Sequence, residues 1–278
     1  MQTEIIDLKN HENSCQTFQD YPIQVEGAVG ALLSEIPLVC GGVYPATDAC
    51  WAVQKDGTIS KFGHLNTKRG HAAGIVLDDL FWITGGNKGS GPLNTTEFLR
   101  IDEGKLIKVK GPELPIPLNY HCMASIDESK VMIIGGFNGE YHSFTFIYDF
   151  EDGTWTSGPD LMVPRENHAC GTYLNSNGHR KIMVTGGFNG TSLTSTEVLD
   201  LEYPHGIWQF GPELPVVLHG HSMVSLENTV YVLGGYSYGL GYQSKIYKLV
   251  NNQWEELPQS LKQARKSLVA MLVPDGFC

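Results

Sequence analysis

The chain has 278 residues, of which 41% are hydrophobic, so it can build a sizeable core and is not expected to be disordered. Its formal net charge of −11 argues against nucleic-acid binding, because phosphates are bound by clustered lysines and arginines. No apolar run approaches the roughly 18 residues of a membrane helix, and MQTEIIDLKN at the N-terminus lacks the features of a signal peptide.

Five apolar runs along the chain end in a pair of glycines. The pairs begin at residues 41, 85, 135, 186 and 234, at intervals of 44, 50, 51 and 48 residues. A phosphate-binding loop occurs once per site, and the chain has no G-x-x-x-x-G-K-[ST] sequence. We therefore interpret the pairs as the mark of an internal structural repeat.

Each repeat predicts four short strands in a fixed order. A first strand follows a proline-rich approach, a second ends in Gly-Gly, a third follows a loop of variable length, and a fourth often opens with a tryptophan (Trp155, Trp208, Trp254). Polar turns such as Asp78-Asp79 join the first strand to the second. Four antiparallel strands per repeat are typical of one blade of a β-propeller. The first strands are predicted at 25–33, 69–77, 119–126, 166–174, 219–226 and 265–273.

These features together resemble the kelch-repeat β-propeller family, and the resemblance covers essentially the whole chain. Its marks are the glycine pairs, third strands that end in a Tyr-Asp or Leu-Asp pair, and the tryptophan of the fourth strand. The resemblance implies an all-β fold, and we expect one domain that is a six-bladed kelch propeller. The blades are predicted at approximately 23–64, 65–112, 115–159, 162–212, 215–257, and 261–278 together with 1–20.

The last blade is predicted to be closed by N-terminal strands. The first strand at 265–273 has no Gly-Gly after it, whereas QTEIIDL at 2–8 matches the third-strand sequence STEVLDL at 195–201. Closure of the ring would remove the exposed sheet edges. Residues 260–273 also carry leucines at helical spacing, but the register of the repeat favours a strand over 267–273.

Four histidines hold equivalent positions in the repeat, at His71, His121, His168 and His221. A ring of imidazoles near a propeller axis is a candidate metal site. Ala28 and Leu268 hold the same position in the other two repeats, which favours a structural role in which the rings bond the backbone. We therefore predict no metal and no cofactor.

No catalytic residues are predicted, because serine and histidine are too frequent here for a Ser-His-acid triad to be singled out. Some kelch-like propellers carry a copper-radical oxidase site, but such enzymes usually have additional domains and a seventh blade, and neither is visible in this sequence. The resemblance therefore favours a protein that is not an enzyme. A copper-dependent oxidase-like or other enzyme with a site in the central channel is the alternative.

Six cysteines are an even number, which permits disulfides without establishing them. Cys40 and Cys50 lie at the end of the second strand and the start of the third strand of one blade, so we expect them to be bonded. Cys15 and Cys278 belong to the last blade and are predicted to join the two termini by a second disulfide.

The two remaining cysteines, Cys122 and Cys170, lie on predicted inner strands, where we expect small buried thiols. Asn94 and Asn189 open N-x-[ST] sequons in loops, where a secreted protein can carry a glycan. The cysteines and sequons favour an extracellular setting, with the cytoplasm as the alternative.

We expect the partner-binding surface on the face that carries the loops between second and third strands and the connections between blades, because variable loops on a rigid scaffold usually carry recognition. The loops supply Tyr44, Phe137, Asn138, Phe188, Asn189, Tyr236, Tyr238 and Tyr242. The connections supply Lys68, Arg69, Asn119, Arg165, His219 and Arg265. A cationic patch of this kind suits an acidic peptide, whereas the alternative is that Arg165 and Arg265 brace the blade connections.

The resemblance therefore predicts a non-catalytic scaffold that binds a protein or peptide, and no nucleic acid or membrane. Kelch relatives serve as ubiquitin-ligase substrate receptors, actin cross-linkers and secreted binding proteins. A cytosolic actin-binding or substrate-receptor module is thus a further alternative. Because no BTB or other adaptor domain is visible, a ligase role would require parts outside this sequence. The oligomeric state is not predicted.

Overall fold

A computed structural model describes residues 3–8, 18–203, 206–274 and 277. The strands form five four-stranded antiparallel sheets and one two-stranded ribbon. Among the described residues there is no apolar helix of a length that could cross a bilayer. The protein is therefore an all-β propeller, as the repeat predicts.

The first three blades each use four strands that are consecutive in the chain and neighbours in the sheet. The first blade contains β1 (Val29–Leu33), β2 (Ile36–Cys40), β3 (Ala49–Val53) and β4 (Ile59–His64). The second contains β5 (Ala73–Leu77), β6 (Leu80–Thr84), β7 (Thr96–Asp102) and β8 (Lys105–Lys110). The third contains β9 (Cys122–Ser125), β10 (Lys130–Ile134), β11 (Thr145–Asp149) and β12 (Thr154–Ser157).

The last two blades follow the same order, and the fifth blade has a ribbon inserted between its second and third strands. The fourth blade contains β13 (Ala169–Leu174), β14 (Arg180–Thr185), β15 (Thr196–Asp200) and the short β16 (Gln209–Phe210). The fifth contains β17 (Ser222–Leu226), β18 (Thr229–Leu233), β21 (Lys245–Val250) and β22 (Gln253–Ser260), and its ribbon is β19 (Tyr236–Ser237) with β20 (Gly241–Tyr242).

Two-residue turns set the register of the inner hairpins. Asp78 and Asp79 have φ angles of 44° and 60°, the left-handed conformation of a type I′ turn, and they bring Leu77 opposite Leu80. Residues 81–84 of β6 are then buried without interruption. A strand covered on both faces reads as a continuous apolar run, which is why these strands lack the alternation of a half-exposed sheet.

The glycine pairs fasten each blade to the connection that follows it. Gly186 and Gly187 have φ angles of 55° and 102°, which favour glycine, and a Cβ added to Gly187 would lie 2.8 Å from the Glu166 carbonyl oxygen. The Gly187 N–H donates to the Leu218 carbonyl oxygen over 2.8 Å. Equivalent bonds over 2.7–2.9 Å run from Gly42 to Arg69, from Gly86 to Leu118, from Gly136 to Arg165 and from Gly235 to Arg265.

Six backbone positions form a closed ring of hydrogen bonds around the propeller axis. Each has a positive φ, and each donates its N–H to the carbonyl oxygen of the preceding position over 2.6–3.4 Å. This ring, which we call the axial ring, runs through Gly27, His71, Tyr120, Asn167, Gly220 and Ser267. The segment around Ser267 therefore lies between the fifth blade and the first.

The predicted count of six blades is wrong, because the residues that the structure describes form five. Neither residues 3–8 nor residues 267–273 form a strand, although both were predicted to do so. A blade needs a second strand that pairs with the first and the third, and the described chain supplies none between these two segments. Closure by N-terminal strands is not confirmed.

The N-terminal segment nevertheless packs beside the C-terminal one. Glu4 accepts hydrogen bonds from the Lys262 N–H, over 2.9 Å, and from the Arg265 guanidinium. Ile6 and Leu268 both pack against the core of the fifth blade. The termini are thus joined by side-chain contacts, and the described parts of 261–278 and 1–20 show none of the strand pairing predicted for a last blade.

Two disulfides join strands in the described chain. Cys40 and Cys50 are directly paired across β2 and β3, and their sulfurs are bonded, as predicted. Cys122 and Cys170 are also bonded, with Cα atoms 6.0 Å apart, so the prediction of two buried thiols is wrong. They lie on the inner strands of neighbouring blades and link those blades covalently. Cys15 and Cys278, the other predicted pair, lie outside the described residues.

Candidate partner-binding face

One face of the propeller carries the long loops. In each blade, the loop between the second and third strands opens on the same side as the connection to the next blade, and the short hairpin turns lie on the opposite side. We call the first side the loop-rich face. Its loops in the third, fourth and fifth blades span residues 137–143, 188–194 and 236–243.

Arg69 and Arg165, which were predicted to contact a partner, lie inside the protein and are 1% and 0% exposed. The Arg165 guanidinium donates to the Gly186 carbonyl oxygen over 2.6 Å and to Glu197 Oε1 over 2.6 Å. Arg69 makes the same contacts with Gly85 and Glu97. This part of the site prediction is corrected, because both side chains brace a blade connection, which was the alternative stated for Arg165.

The third predicted arginine makes a related contact. Arg265 pairs with Glu4, and both side chains are largely buried. Glu4 also accepts the Lys262 N–H, as Glu197 accepts the Met162 N–H. The Arg265 guanidinium is therefore engaged within the chain rather than presented to a partner.

The other predicted site residues separate into buried and exposed groups. Asn119 is 3% exposed, so its side chain does not reach the surface. Tyr44, Lys68 and Asn138 are exposed, and Asn189 is half-buried. Tyr44 and Lys68 lie on the loops of the first blade, on the other side of the axis from the loops of the third to fifth blades.

Seven aromatic side chains form a continuous cluster on the loop-rich face, which we call the aromatic arc. Neighbouring rings have centroids 5.3–6.2 Å apart, in tilted or edge-to-face arrangements. Six of its members were predicted as partner-binding residues, five from the loops and His219 from the connections between blades, and Tyr141 was not predicted. The arc consists of Phe137, Tyr141, Phe188, His219, Tyr236, Tyr238 and Tyr242.

The arc combines a packed base with an exposed rim. Phe188 and Tyr236 are half-buried, whereas Tyr238 and Tyr242 are 59% and 58% exposed. Leu240, between them in the ribbon turn, is 65% exposed and extends the apolar surface. A contiguous exposed apolar patch of this kind marks an interaction site more often than scattered single residues do.

Glu166 lies at the inner edge of the arc and was missed by the sequence analysis. Its backbone pairs with Phe188 in both directions, over 2.8 and 3.0 Å. Burial raises the pKa of the Glu166 carboxyl to about 7. The sequence could have identified Glu166 by its position, directly before a residue of the axial ring. The equivalent residues, Asn119 in the third blade and His219 in the fifth, were both predicted.

The equivalent histidines surround the channel and are buried. His121 Nε2 lies 2.8 Å from Thr84 Oγ1, His221 Nε2 lies 2.8 Å from Thr185 Oγ1, and His168 Nε2 lies 3.1 Å from a backbone carbonyl oxygen. Burial lowers the pKa of His121 and of His221 to about 3 and that of His168 well below its ordinary value, so these rings are neutral at pH 7. Their hydrogen bonds link neighbouring blades.

The channel beside these histidines holds a cavity of about 120 Å³. Its lining includes Tyr120, Asn167 and Ser267 of the axial ring. Across residues 3–8, 18–203, 206–274 and 277, no group of three or more His, Cys, Asp or Glu side chains is arranged to hold a metal ion. The cavity has the volume for a few water molecules or a small ligand.

Comparisons with known proteins agree with this architecture. A family model described as the Kelch motif matches residues 117–162, which span the third blade. Kelch-like protein 15 of Gallus gallus is 31% identical over 133 residues, which is 46% of this chain and 26% of the relative. The chain is thus a β-propeller that carries a kelch motif at 117–162 and is similar to kelch-repeat proteins. A solved structure titled "Structure of YjhT" shares this fold, with a TM-score of 0.74, 14% identity, and coverage of 91% of this chain and 89% of that one.

Two further relatives are a kelch-repeat protein and a protein named as an enzyme. Kelch repeat-containing protein kel-10 of Caenorhabditis elegans is 25% identical over 57% of this chain and 28% of the relative. N-(sulfonatooxy)prop-2-enimidothioate sulfolyase of Thlaspi arvense is 28% identical over 63% of this chain and 54% of the relative. The chain thus spans between about a quarter and about half of the length of these curated relatives.

Substitution Arg165→Ala should destabilise the propeller by about 3–5 kcal/mol, because it leaves the Glu197 carboxylate buried without its counter-charge. Arg100→Ala is the matched control, since its pair with Asp102 is more than half exposed and should contribute less than about 1 kcal/mol. The measurement is urea unfolding of both variants. Equal stability of Arg165→Ala and the parent chain would contradict the bracing role.

Between pH 7 and pH 5, each buried neutral histidine should cost about 2 kcal/mol of folding free energy, because the unfolded chain gains a proton below about pH 6.5 that the folded chain does not bind. His221→Leu, which introduces the residue found at Leu268, should remove this share of the pH dependence. His64→Leu removes an exposed imidazole and serves as the control. The measurement is urea unfolding at both pH values, and an unchanged pH dependence in His221→Leu would contradict the buried, neutral assignment.

Proposed function

We propose that this kelch propeller is a non-catalytic scaffold that binds a protein or peptide through its loop-rich face. The observation that carries the proposal is the aromatic arc, which crosses three blades and ends in the exposed Tyr238 and Tyr242. Tyrosines supply large contact area at low entropic cost, and they are enriched among the residues that dominate binding energy.

The scaffold beneath the arc supports the proposal. The hydrogen bonds from the glycine pairs, the axial ring and the Cys122–Cys170 disulfide join neighbouring blades, so the loops project from a rigid body. A surface held in place before binding loses less entropy on association than a mobile one. The exposed tyrosines are therefore presented in a fixed arrangement.

An enzyme with its site in the central channel is the second candidate. It is favoured by the relative from Thlaspi arvense that is named a sulfolyase and by the cavity beside the axial ring. Stoichiometric copper in the purified protein would favour this candidate over the scaffold. A substrate-receptor or actin-binding role would draw on the same face, together with parts of a longer protein.

An extracellular setting is part of the proposal. It is supported by the two disulfides, since such bonds persist in oxidising compartments. Complete alkylation of the four cysteines of these two disulfides in unreduced protein from its native source would contradict it.

Selection of phage-displayed random dodecapeptides on the immobilised chain tests the binding role. Tyr238→Ala should weaken the selected peptides about tenfold or more, because it removes an exposed ring of the arc. Tyr203→Ala is the matched control, since Tyr203 is 64% exposed but follows β15 on the opposite face. Dissociation constants from fluorescence anisotropy provide the measurement. Failure to select any peptide, or equal loss in both variants, would contradict the proposed function.

A further inference from the structure

Glu166 is one of six residues that directly precede the positions of the axial ring, and these six surround the mouth of the channel on the loop-rich face. Glu26 lies three positions away in the ring of six, so the two carboxylates are on opposite sides of the axis. Glu26 has a cation beside it, Lys266 Nζ at 3.3 Å. The ring neighbours of Glu166 are Asn119 and His219, neither of which supplies a fixed positive charge.

The Glu166 carboxylate has no counter-charge in the part of the chain that the structure describes, where it makes no hydrogen bond or ion pair. Arg165 is adjacent in sequence, but its guanidinium is held inside the protein by Glu197. His219 Nδ1 lies 2.8 Å from Ser192 Oγ, and burial lowers the pKa of this histidine. A partly buried carboxylate without a partner costs free energy, and an incoming cation would offset that cost.

Charge is unevenly distributed over the loop-rich face. Segments 117–121, 137–143, 159–168, 188–194, 212–221 and 235–243, which surround the arc, contain no lysine and one arginine, the buried Arg165. Glu140 adds an exposed carboxylate beside Tyr141. Lys68, Lys88 and Lys262 lie on other loops and connections of this face, and Lys266, whose charge contributes to the lowered pKa of His219, is paired with Glu26. The arc and Glu166 therefore form an aromatic and acidic half of the face.

A lysine or arginine side chain satisfies both properties of this half. Its charge pairs with a carboxylate, and its stem or planar head packs on aromatic rings. Directly paired residues of an antiparallel bridge project their side chains to the same side, so the carboxylate of Glu166 and the ring of Phe188 are neighbours. An acidic segment would instead meet like charge at Glu166 and Glu140.

We propose that the loop-rich face binds a basic segment of a partner protein, with a lysine or arginine side chain placed at Glu166 and the flanking residues packed on the aromatic arc. The proposal rests on the proposed function, because it names the chemistry of the partner at the same face. It reverses the charge of the acidic peptide suggested by the sequence, since the arginines behind that suggestion are engaged inside the chain.

The test uses the dodecapeptides selected on the full chain, synthesised in two forms, with arginine or with the neutral isostere citrulline at each basic position. Selected sequences should be enriched in Arg and Lys, and citrulline should weaken binding about tenfold or more. Glu166→Gln should weaken the arginine form by a similar factor and leave the citrulline form unchanged. Glu151→Gln, which removes the same charge from the opposite face, should leave binding within about twofold.

A pH series separates a contact at Glu166 from a general effect of charge. Affinity for the arginine peptide should rise from pH 6 to pH 8 as the Glu166 carboxyl loses its proton, and Glu166→Gln should abolish the rise. Among the facing groups, burial raises the pKa of Tyr120 and lowers that of His219, Arg165 is paired with Glu197, and Lys266 is paired with Glu26.

The outcomes distinguish this inference from the proposed function. Peptides that need Tyr238 but lack basic residues, or that bind Glu166→Gln as well as the parent chain, would overturn the inference and leave the binding role intact. The absence of any selected peptide, or binding indifferent to Tyr238, would overturn both. Circular dichroism and the unfolding midpoint of Glu166→Gln verify that the variant is folded.

Discussion

The hydrogen bond from the second glycine of each pair to the next blade connection is the contact on which the architecture depends. It recurs five times with nearly the same length, and the last instance, from Gly235, reaches the carbonyl oxygen of Arg265 in the C-terminal segment. A Cβ on any of these second glycines would lie 2.7–2.9 Å from an atom at the start of the same blade, so the close approach requires glycine. Blades joined in this way have little freedom to tilt, and the loops that leave the glycines start from fixed positions.

This constraint explains how the loop-rich face is built. The residue after each glycine pair bonds back to the connection that precedes the same blade, as Phe188 does with Glu166. Variable side chains are therefore placed at equivalent points around the axis. In the third, fourth and fifth blades the residue after the glycine pair is aromatic (Phe137, Phe188 and Tyr236). In the fourth blade its bridge partner is Glu166, which adds a carboxylate. The buried pair of Arg165 and Glu197 holds the connection beneath, so the charges of that pair serve the scaffold and the charge of Glu166 remains for a ligand.

The sequence was sufficient for the features that repeat. The glycine pairs, the two-residue turns and the Cys40–Cys50 bond follow from local pattern and register. The arginines were misjudged because their partners, Glu97 and Glu197, lie about 30 residues further on, and single-sequence periodicity does not show which charges meet. Cys122 and Cys170 are one repeat apart, which places them on adjacent inner strands; their bond crosses between blades rather than within one hairpin. The sixth blade was inferred from the match of 2–8 to a third strand. Glu4 does meet Arg265 as Glu197 meets Arg165, but the described residues contain no second strand that would complete the sheet.

The most direct test of this glycine contact compares two glycines in one loop. They have almost the same φ, 102° at Gly187 and 101° at Gly190. A Cβ at Gly187 would meet backbone and His168, whereas a Cβ at Gly190 would meet nothing within 4 Å. Backbone strain is therefore matched, and only the close approach differs. Urea unfolding should show Gly187→Ala destabilised by about 2 kcal/mol or more beyond Gly190→Ala. Equal losses in the two variants would show that the blades do not depend on this contact.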